Sequence, residues 1–165
     1  MPLVAAITDI EQLKSHPAVA ALVAWNASAV TGVKFDRDEM TIWVGREHIR
    51  GACAILREDA ECAFNFLSDV TCVDWYPAEP RFEVVYHLLS ISKKERVRVK
   101  VRLDGGSPVI ESLTSLWPAA NYFEREVFDL FGIRFNGHPY MRRLLMPEDW
   151  EGHPLRKDYP VEGYR

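Results

Sequence analysis

The chain has 165 residues, 48% of them hydrophobic, and a formal net charge of −4. That size and apolar content suit one globular domain with a real core, and no apolar run reaches the length of a membrane-crossing helix. The charge is uneven: residues 1–80 carry twelve acids and six bases, whereas residues 81–165 carry twelve acids and fourteen bases. The acidic half argues against a general nucleic-acid binder, and the basic excess of the second half suits an acidic partner.

The N-terminus has no basic segment followed by an apolar one, so no secretory signal is expected. Cys53, Cys62 and Cys72 are odd in number and nowhere form a C-x-x-C pair. Buried reduced thiols are expected, and neither a zinc nor an iron–sulfur site.

In chain order, residues 9–25 read as a helix split by Pro17, with Asp9 as its cap. Val30–Phe35 and Met40–Val44 read as a hairpin around the polar turn Asp36–Glu39. Glu47–Asp59 has helical spacing, with Ile49, Cys53, Leu56 and Ala60 on one face. A strand is expected within Phe64–Trp75, and a clearer one over Phe82–Ile91. Arg96–Leu103 alternates strictly: Val97, Val99, Val101 and Leu103 point one way, and Arg96, Arg98, Lys100 and Arg102 the other. Pairing residues whose numbers sum to 185 sets Val84 against Val101, Tyr86 against Val99, and Glu83 against Arg102. A slip of one residue would place valines on the polar face, which fixes that register. The arginine stripe reads as the wet face of a half-covered sheet or as a partner contact, rather than as a phosphate-binding strip.

Asp104–Pro108 is a loop, and Ser112 is expected to cap a short turn ending at Trp117. A helix follows from Pro118. Phe123, Val127, Leu130 and Phe131 share one face of it, and Gly132 suits the left-handed position after its last turn. The expected class is α+β: a mixed or antiparallel sheet with helices on one face, over residues 1–133. Residues 134–165 read as an extended irregular tail. Its Phe135, Tyr140, Leu144, Leu145, Met146, Trp150, Leu155 and Tyr159 need burial, so it is expected to pack on the surface of a partner subunit.

Candidate chemistry concentrates in residues 123–160. Glu124 and Glu126 are two apart, so they leave the helix on different faces and do not converge as an acid–base pair. Arg125 and Asp129 stand at i, i+4 and can pair. His138 and His153 each lie in Gly-His-Pro. Their ordinary role is to bond nearby backbone or carboxylate and pin a turn, because metal binding needs convergent ligands. Arg142, Arg143, Trp150 and Tyr159 have the character of interface anchors. No phosphate loop, nucleophile elbow or dinucleotide fingerprint occurs.

Two runs in this stretch are long and unusual: Glu124-Arg125-Glu126-Val127-Phe128-Asp129-Leu130-Phe131-Gly132-Ile133, and Leu145 to Pro160, which reads LMPEDWEGHPLRKDYP. Both resemble the signature region of the thirty-kilodalton (C) subunit of respiratory complex I, NADH:quinone oxidoreductase. Tyr140-Met141 departs from the common leucine at its second residue and keeps the apolar character.

The resemblance implies a non-catalytic structural subunit of the hydrophilic arm, with no cofactor on this chain. FMN and Fe–S clusters are then expected in partner subunits that carry electrons from NADH to quinone. It implies the D subunit of complex I as the main partner, and the B subunit beside it near the quinone site. No contact with quinone, nucleic acid or a membrane span is expected. The implied location is peripheral, on the cytoplasmic side of the bacterial inner membrane.

By the same resemblance, Glu124, Arg125, Glu126 and Asp129 hold the helix. Arg142, Arg143, Arg156, Lys157 and Asp158 hold a tail running from Phe135 to Tyr164 along the D subunit. The chain looks like the form that is not fused to that partner. Two alternatives stay open: the equivalent subunit of a membrane-bound hydrogenase or of a ferredoxin- or coenzyme-linked relative, and an independent small enzyme built on Glu124 and Glu126. On this reading a chain cut after Gly137 folds but does not assemble, and Arg143→Ala weakens assembly more than fold.

Overall fold

Alternating valines set the centre of the molecule. In the computed structural model, which describes residues 5–163, β4 (Phe82–Ser90) and β5 (Glu95–Leu103) pair antiparallel in the register expected from the sequence: Val84 faces Val101, Tyr86 faces Val99, and Glu83 faces Arg102. The hairpin of β1 (Val30–Asp36) and β2 (Glu39–Val44) docks with β2 parallel to β5. β3 (Phe66–Asp74) pairs antiparallel with β4 and carries an irregularity between Leu67 and Asp69. The result is one mixed five-stranded sheet of order β1-β2-β5-β4-β3.

The β1–β2 turn places Arg37 and Asp38 at φ 54° and 63°. Positive φ at both central residues is the geometry that matches the twist of a two-residue hairpin.

The helical segment is split as Pro17 requires. α1 (Ile10–Leu13) begins at Asp9, whose carboxylate accepts from the Glu11 amide, and α2 (Pro17–Asn26) starts on the proline itself. α3 (Ile49–Glu58) follows a short 3-10 turn and buries Ile49, Ala52, Cys53 and Leu56. Ala60 lies beyond its end. These residues join the inward valines, Ile42, Leu88 and Leu103 in one core cluster. All three cysteines are free and buried. Burial pushes each thiol up, Cys72 to about 12.

Two strands are not legible in the sequence. β6 (Val109–Glu111) and β7 (Arg134–Asn136) form a small parallel pair on either side of α4 (Ala120–Phe131). Three residues are too few to show a period of two. The boundary expected at residue 133 therefore falls inside regular structure, which runs on to Asn136. α4 also begins two residues after Pro118, whose carbonyl accepts from the Asn121 amide in the preceding turn. Gly132 ends the helix at φ 76°, its amide bonded to the Phe128 carbonyl. A Cβ there would stand 2.5 Å from the His153 ring and 2.6 Å from Arg156, so the glycine serves the chain reversal and the close passage of the following segment together.

Candidate functional site

The helix of the first signature run carries two buried carboxylates that face different neighbours. Glu124 is fully buried and accepts from Ser112 Oγ and the Leu113 amide, both at 2.6 Å. Burial pushes this carboxyl up to about 7, against the pull of those two donors. Ser112 also accepts from the Thr114 amide, so the expected capping residue is at the same time a partner of Glu124. Glu126 is exposed, and the two glutamates diverge.

Asp129 is equally buried but far better served. Its Oδ2 accepts from the Leu144, Leu145 and Met146 amides at 2.8–2.9 Å, and its Oδ1 meets Arg143 Nη1 at 2.6 Å. Burial would raise it, but the three amides and the guanidinium together bring it below the ordinary carboxylate range. Four donors and a full positive charge outweigh desolvation here; two neutral donors at Glu124 do not.

The i, i+4 pair of Arg125 with Asp129 does not form. Arg125 reaches instead to the Arg142 and Arg143 carbonyls, because Asp129 points to the side where residues 143–146 already fill its acceptor sites. Arg143 is the hub of this turn. Besides Asp129 it donates to the Trp150 and Gly152 carbonyls at 2.8 and 2.9 Å. His153 Nδ1 donates to the Asp129 carbonyl, and His138 Nε2 donates to the Asn121 carbonyl while its Nδ1 accepts from the Tyr140 amide. Each imidazole thus ties irregular chain to α4.

A second clamp closes the end of the segment. Arg156 Nε donates to the Phe131 carbonyl at 2.6 Å, and the Leu155 amide bonds the Leu130 carbonyl. The Lys157 amide donates to Asp74 at 2.9 Å, and Asp158 takes a two-pronged bond from Arg81. Arg81 grips Asp74 in the same way, at 2.8 and 2.9 Å. Burial acts to raise Asp74, but Arg81 and the Lys157 and Tyr76 amides bring it down to about 2. Nothing in the sequence singles out Asp74 and Arg81. They lie 83 and 77 residues from their partners Lys157 and Asp158, and no periodicity marks such a pair.

The C-terminal segment, expected to need a partner's surface, lies on its own domain through the polar groups of residues 143–158, because Asp129, Asp74 and Arg81 bond it there. Met141 packs against the core, and Leu144 and Met146 are half-buried, but other apolar side chains of the segment face outward. Tyr140, Leu145, Trp150 and Leu155 are each 40–55% exposed, and Tyr122 on α4 stands out beside them. Arg142 and Arg125 lie over the Tyr140 ring, with the guanidinium carbons 4.8 and 5.5 Å from its centre. Tyr159 is half-buried, its hydroxyl donating to the Glu151 carbonyl. The Tyr164 end of the expected tail lies outside the described residues. No helix among the described residues is long and apolar enough to cross a membrane, and no three His, Cys, Asp or Glu side chains among them converge.

Residues 42–165 match the family described as respiratory-chain NADH dehydrogenase, 30 kDa subunit. The chain is 52% identical over 133 residues to the C subunit of NADH-quinone oxidoreductase from Roseiflexus sp. (strain RS-1), covering 81% of this chain and 76% of that one. It is 48% identical over 149 residues to the corresponding protein of Roseiflexus castenholzii, covering 90% and 86%. Among solved structures it resembles a trypsin-resistant fragment of Nqo5, at 30% identity and a TM-score of 0.60 over 73% of this chain and 96% of that one. It also resembles a chain of the membrane-bound sulfane sulfur reductase, an archaeal respiratory membrane complex, at 28% identity and a TM-score of 0.72 over 87% and 84%. The chain belongs to the thirty-kilodalton subunit family of respiratory-chain NADH dehydrogenase, which supplies the C subunit of NADH-quinone oxidoreductase.

Proposed function

We propose that this chain is a non-catalytic assembly subunit in the hydrophilic arm of a proton-translocating NADH:quinone oxidoreductase. It packs mainly on the D subunit, beside the B subunit and near the quinone site, and holds no cofactor itself. Electrons pass from NADH through FMN and Fe–S clusters of neighbouring subunits. The complex is membrane-bound, with this chain peripheral on the cytoplasmic side.

One observation carries this reading beyond family membership. The second signature run is pinned to its own domain by its charges, yet it turns Tyr140, Leu145, Trp150 and Leu155 to solvent. A segment rigidified by polar clamps with large apolar side chains on its outer face is a preformed docking ridge, and its aromatics and arginines are the residue types that anchor interfaces.

The test is isolation of the tagged chain from its own membranes in mild detergent, with identification of co-purifying proteins and assay of flavin, iron and NADH-driven quinone reduction. A multi-subunit assembly with all three is expected, and Leu145→Asp together with Trp150→Asp should release the chain from it. A chain that elutes alone from intact membranes overturns the proposal. The similarity to the sulfane sulfur reductase chain supports a second reading, the equivalent subunit of a related respiratory complex. An assembly lacking flavin and inert to NADH would favour it.

A further inference from the structure

The face of the five-stranded sheet opposite the core is neither flat nor neutral. It forms a groove of about 650 Å³ between the β1–β2 hairpin and the Trp75 end of β3. Five bases line it, Lys34, Arg37, Arg98, Lys100 and Arg102, against three acids, Asp36, Glu39 and Glu83. An excess of two positive charges thus collects in one groove of a chain whose net charge is −4.

The pairing geometry explains why the excess is local. Lys100 and Arg102 share the single carboxylate of Glu83, at 2.7 and 2.6 Å. Glu83 itself is buried and also accepts from the Trp43 indole at 3.1 Å. On the hairpin, Lys34 bonds Asp36 at 2.8 Å, and Arg37 lines the same groove. Arg98, by contrast, has an acid of its own, Glu39 at 2.7 Å. Trp43 and Trp75 are held against Lys100 and Arg102, at 5.4 and 4.9 Å from ring centre to cation. Two aromatic side chains therefore flank cations that share one carboxylate. A concave site with low-dielectric walls concentrates such a field and draws an anion in.

We propose that this groove docks an acidic segment of a neighbouring subunit, whose Asp or Glu side chains meet Arg37 and complete the half-neutralised pair Lys100/Arg102. The inference rests on the assembly reading above but concerns a different surface, on the sheet face away from the core. Its concavity favours a side-chain-bearing segment over a planar bilayer. The tryptophans support this, since they form walls of the groove and lie against its cations.

The test is lysine acylation of the assembled complex in detergent, compared with the isolated full-length chain, followed by carbodiimide crosslinking of the same complex. Lys34 is expected to acylate several-fold more slowly in the complex, and Lys34 or Lys100 to crosslink to carboxylates of one neighbouring subunit. Equal acylation rates, or crosslinks confined to Asp36, Glu39 and Glu83 of the chain itself, overturn the inference and leave the assembly reading intact. Protection that disappears on removing bound lipid also overturns it, because the occupant is then a membrane surface. Failure of the chain to co-purify with any complex would instead sink the assembly reading, and this inference with it.

Discussion

Strands β4 and β5 hold each other through nine-residue ladders and alternating valines; residues 138–159 are held by polar clamps on a few side chains, chief among them Asp129 and Arg81. The two regions touch the same core and obey different physics. In the sheet each residue contributes a little, and no single side chain decides the register. In the C-terminal segment, Asp129 collects three amides and a guanidinium, and Arg81 joins Asp74 to Asp158. Burial is spread over many residues in the first case and concentrated on a few charges in the second. The segment should therefore be removable by single substitutions that leave the sheet intact.

Asp129→Asn should have the largest effect on the C-terminal segment. It removes the charge that pairs with Arg143 and leaves one oxygen to serve either Arg143 or the amides of residues 144–146, at a cost of about 3–5 kcal/mol. Hydrogen exchange should show residues 138–159 opening while β4 and β5 stay protected. Loss of protection in both regions together would mean that the segment and the sheet are one cooperative unit. A chain ending at Gly137 loses the clamps that Asp129, Phe131 and Asp74 make with residues 143–158. It should be clearly less stable than the full chain, although it keeps every strand.

Arg81→Ala should come next, at about 2–4 kcal/mol, since Asp74 then keeps only its two amide donors. The same clamp has an acid limit. Asp74 is depressed to about 2, so its contribution is complete above the ordinary carboxylate range and is lost as pH falls from about 4 through about 2. Pepsin should therefore cleave the C-terminal segment before the sheet as the pH is lowered across that window. Simultaneous cleavage would count against a separate clamp.

Glu124, earlier in the same helix, shifts in the opposite direction from Asp129. Its carboxyl is raised to about 7, so its contribution is complete below about pH 4.5 and lost as pH rises through about 7. Glu124→Gln keeps an acceptor for the Leu113 amide and removes the charge. Urea titrations should find it more stable than the parent by roughly 1–3 kcal/mol at pH 8 and nearly equal at pH 5. A variant less stable at pH 8 would show that Ser112 and Leu113 hold the ionised form after all.

The smallest effect concerns the sheet itself. Asp38 sits at φ 63°. Asp38→Gly should relieve that turn and stabilise the protein by about 0.5 kcal/mol in thermal melts, without touching the C-terminal segment.

The sequence alone determined the sheet's central register, the break at Pro17 and the end of α4 at Gly132. Each rests on neighbours close in the chain or on a strict period. Alternation is a local pattern, and a one-residue slip carries a cost at every pair. The two signature runs were equally visible, and so was the divergence of Glu124 and Glu126. Tertiary structure decided the rest. It turned Asp129 away from Arg125 and toward residues 143–146, gave Arg143 to its own chain, and recruited Asp74 and Arg81 from 83 and 77 residues before their partners Lys157 and Asp158. It also set β6 beside β7 across α4. A carboxylate takes whichever donors the fold brings within about 3 Å, and that meeting has no period in the sequence.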